Sequence, residues 1–307
     1  MTARVFIDGA AGTTGLEIAD RLAGRREFTL VVLDDERRKD EVARAEALNQ
    51  ADFVILCLPD EAAREAVAMI ANDSVRVIDA SSAHRTAIGW TYGFPEVIGR
   101  KAIAEARRVS NPGCYPTGFI ALLAPLVSAG LLPGGWPYIC HAVSGYSGGG
   151  KSLIARFESD ADIAYRAYGL RMGHKHVAEM QKHVGLAHVP VFAPAVVPAH
   201  RGMIVEVPLP LAAMPNAAAP EVLRAALADA YLGSPIVTVR QDAPDELLLR
   251  RSMAPVDTLE LSVFGSRDGT QARLVAVLDN LGKGASGAAV QNLNIMAGLP
   301  NTAGLRL

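Results

Sequence analysis

Two short stretches hold the residue types that can do covalent chemistry. Residues 110–118 read SNPGCYPTG, with Cys114 set between Gly/Pro punctuation and the apolar run YPTGFIALLAPLV. Pro116 suits a first helical turn, so the thiol stands at a helix N-terminus, where the macrodipole favours thiolate. The simpler alternative is an inert cysteine tucked into a turn, since free Cys is usually buried. Residues 173–183 read GHKHVAEMQKH, placing His176 and Glu179 at i, i+3 on one helical face with His183 a turn beyond. A thiolate nucleophile needs a proton-transfer partner, and an imidazole oriented by a carboxylate supplies one. His174, His176 and His183 have no further Cys or acid at ligand spacing, so no metal is expected there.

A third stretch points to a nucleotide. In FIDGAAGTTGLEI, Gly9, Gly12 and Gly15 form G-x-x-G-x-x-G around Thr13 and Thr14, between an apolar strand and a helix. Such glycines permit a tight turn and let backbone N–H groups approach a pyrophosphate. The next strand ends in VVLDDERRKD. Asp34 or Asp35 could hold a ribose 2′-hydroxyl as in NAD sites, and Arg37, Arg38 and Lys39 could pair a 2′-phosphate. Both readings are open, with NADP favoured because an ordinary helix start would carry acids rather than three cations.

The elements that must position these residues alternate at first. Strands are predicted at 5–8, 29–33, 53–59 and 75–81, with helices at 15–23, 40–49 and 60–70. Repeated β-α-β with short apolar strands implies a Rossmann-type parallel sheet covered on both faces. Ser81, Ser82, His84 and Arg85 follow its fourth strand, at the carboxyl edge where open α/β sheets bind ligands; capping a turn is the alternative. The apolar run after Cys114 makes a buried helix that Pro125 should kink or end early. Beyond about residue 128 come longer strands, MIVEVPL, TLELSVFG and RLVAVLD, with Pro- and Gly-rich connections. That texture suits an α+β second domain on a mixed sheet, and 284–298 returns to a helical pattern.

Bulk properties agree with a small-molecule enzyme. Of 307 residues half are apolar, enough for a large core, and the formal net charge is only −2 with both signs interleaved. No field for nucleic acid results, and no apolar run approaches a membrane span. The N-terminus runs straight into a strand without a leader pattern, so the cytosol is expected. Cys57, Cys114 and Cys140 are an odd number without CxxC spacing, so no disulfide framework is suggested.

DGAAGTTGLEI, CLPDEA, DASSAHR, YGFPE, SNPGCYPTG, GHKHVAEM and DNLGKGASGAAVQNLN, in this order, resemble the short form of N-acetyl-gamma-glutamyl-phosphate reductases, relatives of aspartate-semialdehyde dehydrogenase. The resemblance spans residues 5 to about 298. Longer members carry H-R-H-T-P-E where this chain has HKHVAE, so the histidine match rests on the HxHxxE frame. The resemblance implies an NADPH-dependent reduction of N-acetyl-L-glutamyl 5-phosphate in arginine biosynthesis, with a thioester on Cys114 and proton transfer by His176 oriented by Glu179. It further implies that 1–114 and 285–307 bind NADP while 115–284 form a catalytic and oligomerisation domain. An exposed sheet there favours homodimers or tetramers. Cofactor contacts are expected from Gly9, Gly12, Thr13, Thr14, Gly15, Arg37, Arg38, Lys39, Pro59, Ser81, Ser82, Asn280 and Lys283. Asn280 resembles the residue that approaches the nicotinamide amide. The acyl phosphate is expected to meet Asn111, His84 and Arg85. The 144–151 loop, with Ser144, Gly145 and Lys151, should cradle the leaving phosphate through free N–H groups, and Arg201 should take the substrate carboxylate. Two alternatives stay open: another acyl phosphate reductase such as aspartate-semialdehyde dehydrogenase, and a nicotinamide-responsive binding module without chemistry.

Overall fold

Side-chain alternation along short apolar strands builds two cores from one sheet. The computed structural model describes residues 2–34 and 36–307, so Asp35, one of the two acids considered for the ribose, lies outside the described residues. The first compact unit comprises Met1–Gly113 and Ala285–Leu305. Its chain runs β1 (Ala3–Asp8), α1 (Thr13–Leu22), β2 (Phe28–Val31), α2 (Glu41–Gln50), β3 (Phe53–Leu56), α3 (Asp60–Ala68) and β4 (Arg76–Asp79), followed by β5 (Thr91–Tyr92), α4 (Pro95–Ile98), α5 (Arg100–Glu105) and β6 (Arg108–Ser110). The six strands are ordered β2-β1-β3-β4-β6-β5, all pairs parallel. Val5, Ile7, Phe53 and Ile55 point into one core, while Phe6, Val54 and Leu56 point into the other. A strand buried on both faces must be apolar throughout, which is why FVIL shows no polar alternation. Asp40, predicted inside a helix, is instead the N-cap of α2, its carboxylate accepting from the Val42 and Ala43 N–H groups.

The second unit comprises Cys114–Gly284 and Arg306–Leu307. Cys114 therefore opens this unit, because it is the first residue of α6 (Cys114–Ser128). The last two residues also belong here: Arg306 N–H donates to Asp257 Oδ2 at 2.8 Å, and Asp257 N–H donates to the Arg306 carbonyl at 2.7 Å. After α6 come β7 (Ile139–Gly145), α7 (Gly150–Ser159), β8 (Arg166–Ala167), α8 (His176–Val184), β9 (Val191–Val197), β10 (Met203–Leu209), α9 (Pro220–Ala230), β11 (Val237–Val239), β12 (Leu259–Gly265) and β13 (Ala272–Leu278). Their sheet is mixed, in the order β11-β12-β13-β10-β7-β9-β8. α6 lies on one face, so close that a Cβ on Gly118 would stand 2.9 Å from Val205 and 3.2 Å from Ala276. The opposite face leaves Ile139 and Val191 exposed, with His141, Ile204 and Glu206 half-buried.

α10 (Gly287–Met296), buried at every position with Gln291, Asn292 and Asn294 hydrogen-bonded inside, returns the chain to the first unit. α6 does not end at Pro125 but continues through it to Ser128. A proline cannot donate to the carbonyl four residues back, and here the Tyr231 hydroxyl donates to that Ala121 carbonyl at 2.7 Å instead. The lost helical bond is thereby replaced from α9's C-terminal end.

Candidate active site

Cys114 stands half-buried at the start of α6. The turn that delivers it is anchored through Asn111: its N–H donates to the Asp79 carbonyl at 2.7 Å, its side-chain amide to the Ala285 carbonyl at 3.0 Å, and its Oδ1 accepts from Asn292 at 3.1 Å. Asn111 is thus a fully engaged brace for the chain that leads to Cys114. Gly284 presses on the cysteine itself, since a Cβ there would lie 2.9 Å from the Cys114 Cβ and 3.1 Å from the Asp279 carbonyl. The other thiols are held neutral: burial, with Asp79 and Asp8 adding to it, pushes Cys57 up to about 12, and burial pushes Cys140 up as well. Only Cys114 sits on a helix N-terminus, where thiolate is stabilised.

His176 is the first residue of α8 and Glu179 lies one turn on; both are buried. Around His176 stand Tyr115 at 5.9 Å, His174 at 4.6 Å and Phe192 at 6.4 Å between ring centroids. His174 Nδ1 accepts the His176 backbone N–H at 3.2 Å, capping a helix start that has no other side-chain cap. The Tyr115 hydroxyl donates to the Ala195 carbonyl at 3.1 Å, tying the residue after Cys114 to β9. Burial raises the Tyr115 phenol well above its ordinary range, with the Tyr168 and Cys114 charges adding to it, so it stays a neutral donor. Among the described residues no group of three or more His, Cys, Asp or Glu side chains is arranged for a metal ion.

In the first unit, the glycine loop has the geometry of an anion cradle. Gly9 sits at φ +88°, and a Cβ on it would fall 2.3 Å from the Cys57 carbonyl oxygen; on Gly15 it would fall 2.5 Å from the Gly9 oxygen. Gly12 is the N-cap of α1 without a side-chain cap, leaving the N–H groups of Thr13, Thr14 and Gly15 to a ligand. After β2 the Asp34 carboxylate accepts from the Arg37 N–H at 2.8 Å and the Glu36 N–H at 3.2 Å. Asp34 thus shapes the 3-10 turn Arg37–Lys39, whose three cations are exposed. A cradle cleared of side chains and an exposed basic turn at the end of β2 fit a dinucleotide carrying a 2′-phosphate. Pro59 is exposed at the N-cap of α3. The four residues after β4 are tied down locally. Ser81 and His84 both meet Asp79 Oδ2, at 2.8 and 2.6 Å, Ser82 Oγ donates to Asp60, and Arg85 donates to the Asn111 and Ala80 carbonyls at 2.9 and 3.2 Å. His84 also stacks on Trp90 at 4.1 Å.

The comparisons decide which chemistry this scaffold serves. A family model described as "Semialdehyde dehydrogenase, NAD binding domain" matches residues 4–106, and one described as "Semialdehyde dehydrogenase, dimerisation domain" matches 114–280. The chain is 50% identical to "N-acetyl-gamma-glutamyl-phosphate reductase 2" of Nostoc sp., covering 98% of this chain and 99% of that one. It is 52% identical to "N-acetyl-gamma-glutamyl-phosphate reductase" of Burkholderia ambifaria, covering 96% of each. The chain belongs to the N-acetyl-gamma-glutamyl-phosphate reductase family. Aspartate semialdehyde dehydrogenase II of Vibrio cholerae shares the fold, with TM-score 0.69 at 18% identity over 96% of this chain and 98% of that chain.

For a member of this family, several expected contacts are engaged otherwise. Arg201, expected at the substrate carboxylate, gives its guanidinium to the buried Asp279 Oδ2 at 2.7 Å, a part-buried pair that matches its charge. The 144–151 loop does not keep all its N–H groups free: Gly145, Tyr146 and Ser147 donate to the Gly202, Ala199 and His200 carbonyls. Ser144 donates to the Gly145 carbonyl at 2.9 Å, and Gly145 admits no Cβ because the Ala199 oxygen would be 2.7 Å away. Lys151 stays exposed on α7. Asn280 accepts from the Gly202 N–H at 2.8 Å and donates to Ser147 Oγ at 3.0 Å, bracing that loop from both ends of its amide. Lys283 is buried in a single π turn, Gly282–Ser286. Sequence reasoning missed Gly284, Tyr115 and Tyr168; the glycine in DNLGKGAS and the tyrosine after the cysteine were visible signals.

Proposed function

We infer that Cys114, His176 and Glu179 carry the reduction of N-acetyl-L-glutamyl 5-phosphate to N-acetyl-L-glutamate 5-semialdehyde and phosphate, with NADPH as reductant. The observation that carries this reading is Cys114 at the first position of α6, with a buried His176–Glu179 pair on the first turn of α8 in the same unit. The Cys114 thiolate attacks the acyl carbon, the bond from that carbon to the phosphate oxygen breaks, and phosphate leaves a thioester on Sγ. NADPH, when bound, supplies the hydride that reduces the thioester carbonyl. His176, protonated, gives its proton to the oxygen that becomes negative, so a neutral thiohemiacetal forms on Cys114. His176 then takes the hydroxyl proton back as the carbon–sulfur bond breaks, releasing aldehyde and regenerating thiolate. Glu179 holds the imidazole in the tautomer that this exchange needs.

The cofactor is held through the Gly9–Gly15 cradle and the N–H groups of Thr13 and Thr14, with Arg37, Arg38 and Lys39 on the 2′-phosphate. Pro59, Ser81 and Ser82 stand at the carboxyl edge of the first sheet, while His84, Arg85 and Asn111 brace the turn that precedes Cys114, and Ser144 and Gly145 shape the loop that precedes the exposed Lys151. The open face of the second sheet, with exposed Ile139 and Val191, supports assembly into homodimers or tetramers. No helix among the described residues is long and apolar enough to cross a membrane, and with biosynthetic relatives this supports work in the cytoplasm. The test is the reverse reaction, read as NADPH formation from N-acetylglutamate semialdehyde, NADP and phosphate beside aspartate semialdehyde and NAD. Phosphate-dependent NADPH from the acetylated aldehyde alone is expected; turnover of aspartate semialdehyde instead overturns the substrate.

A further inference from the structure

β8 is a two-residue edge strand whose first residue is a cation in an unusual setting. Arg166 is half-buried, and no carboxylate among the described residues pairs with it. Its guanidinium carbon lies 4.6 Å from the centroid of the Tyr168 ring. From Tyr168 a continuous set of contacts leads to the reacting centre. The Tyr168 ring meets His174 edge-on at 5.7 Å, His174 meets His176 at 4.6 Å, and His176 meets Tyr115, the residue after Cys114, at 5.9 Å. Strand register agrees: Arg166 pairs with Val196 and Ala167 with Ala195, the residue whose carbonyl receives the Tyr115 hydroxyl. The Tyr168 phenol is pushed up to about 12, chiefly by burial, with a bond to Tyr115 opposing, the Cys114 charge raising and the Arg166 charge lowering it. Both charges therefore act on one ring.

Other cations of the second unit stand in different settings: Lys283 is buried in the π turn and Arg224 donates to the Val263 carbonyl at 2.8 Å. Arg201 is matched by Asp279, while Lys151 and Lys175 are exposed. A half-buried guanidinium without an acid has given up part of its hydration and regained no counter-charge. An anion arriving beside Tyr168 repays that cost. The substrate of the proposed reaction carries such an anion, an α-carboxylate joined by a short carbon chain to the acyl carbon that Cys114 attacks. We propose that Arg166 receives this α-carboxylate and so sets the enzyme's preference for an amino-acid-derived acyl phosphate. Stacking on Tyr168 fixes the guanidinium plane, which lets its fork meet a carboxylate in two parallel bonds.

This inference rests on the acyl phosphate reductase reading, and the test separates the two. Wild type, Arg166→Met and Arg166→Lys are compared in the reverse direction on N-acetylglutamate semialdehyde and on 4-acetamidobutanal, the same aldehyde with hydrogen in place of the carboxylate. In wild type, kcat/KM should favour the carboxylated aldehyde by about 100-fold, the worth of a charge-assisted pair. Arg166→Met should bring that ratio close to one through KM for the carboxylated aldehyde, and Arg166→Lys should recover part of it. If Arg166→Met slows both aldehydes alike and keeps the ratio, the residue merely supports Tyr168 and the proposal fails. A rise in KM for phosphate that is equal with both aldehydes overturns it in favour of a phosphate receptor. Wild type silent on both aldehydes, yet folded and binding NADP, brings down the reductase reading and this proposal with it.

Discussion

The N-termini of α1 and α6 use the same dipole in opposite ways. α1 starts after Gly12 with no capping side chain, behind a loop whose Gly9 and Gly15 would each drive a Cβ into a backbone oxygen, at 2.3 and 2.5 Å. Everything that could fill the end of that helix has been removed, so an outside anion can use its N–H groups. α6 starts with Cys114, so in the proposed mechanism the anion at its end is the chain's own thiolate. One terminus is specified by missing atoms and the other by a single sulfur. The first should therefore be intolerant of additions and the second of replacement.

Replacing the sulfur is the strongest way to break this contrast. Cys114→Ser should lower turnover by roughly 10⁴-fold or more, while a fluorescence titration finds NADPH binding unchanged. Loss of both together would mean the two termini are not separable. In the wild type, iodoacetamide near neutral pH should label Cys114 first, because Cys57, raised to about 12, is almost wholly thiol there. Rapid labelling of Cys57 would contradict the assignment.

His176→Asn comes next, with an expected drop of about 10²–10⁴ in kcat and loss of the pH dependence it imposes. At the other terminus, Gly15→Ala should cost roughly 1–3 kcal/mol through the clash with the Gly9 oxygen, seen as a lower Tm together with weaker NADPH binding. A wild-type Tm in that variant would show that the cradle can yield. Removing the exposed cations in Arg37→Ala/Lys39→Ala should cut the NADPH over NADH preference about tenfold at low salt and less at high salt. An unchanged preference would move the 2′-phosphate away from the basic turn. Smallest, Tyr231→Phe should cost about 1 kcal/mol, read as a lower urea midpoint at constant m, because the Ala121 carbonyl loses its donor.

That last residue illustrates where the sequence stopped being legible. Pro125 alone argues for a kink or an early end; the early end is averted by the Tyr231 hydroxyl, which reaches the Ala121 carbonyl from 110 residues on. Likewise the Gly-rich 144–151 loop read as free N–H groups, yet three of them bond to carbonyls at 199, 200 and 202. The glycines were correctly seen as permissive, but what they permit here is close approach to a neighbouring turn. Arg201, expected at the substrate carboxylate, has a partner in Asp279 that lies 78 residues on and cannot be read from its own segment.

By itself the sequence determined the parallel sheet, the glycine-rich turn after the first strand, the basic run after the second, the cysteine at a helix start and the HxHxxE frame, since each follows from spacing within one or two elements. Only the tertiary structure decided which charges remain unmatched and which backbone donors remain free. It set Gly284 against Cys114, paired Arg201 with Asp279, and stacked Arg166 on Tyr168 with no paired acid among the described residues. The physical reason is that burial and pairing depend on what distant segments bring to the same place. A side chain's type fixes what it can do, and its packed surroundings fix whether it is still available to do it.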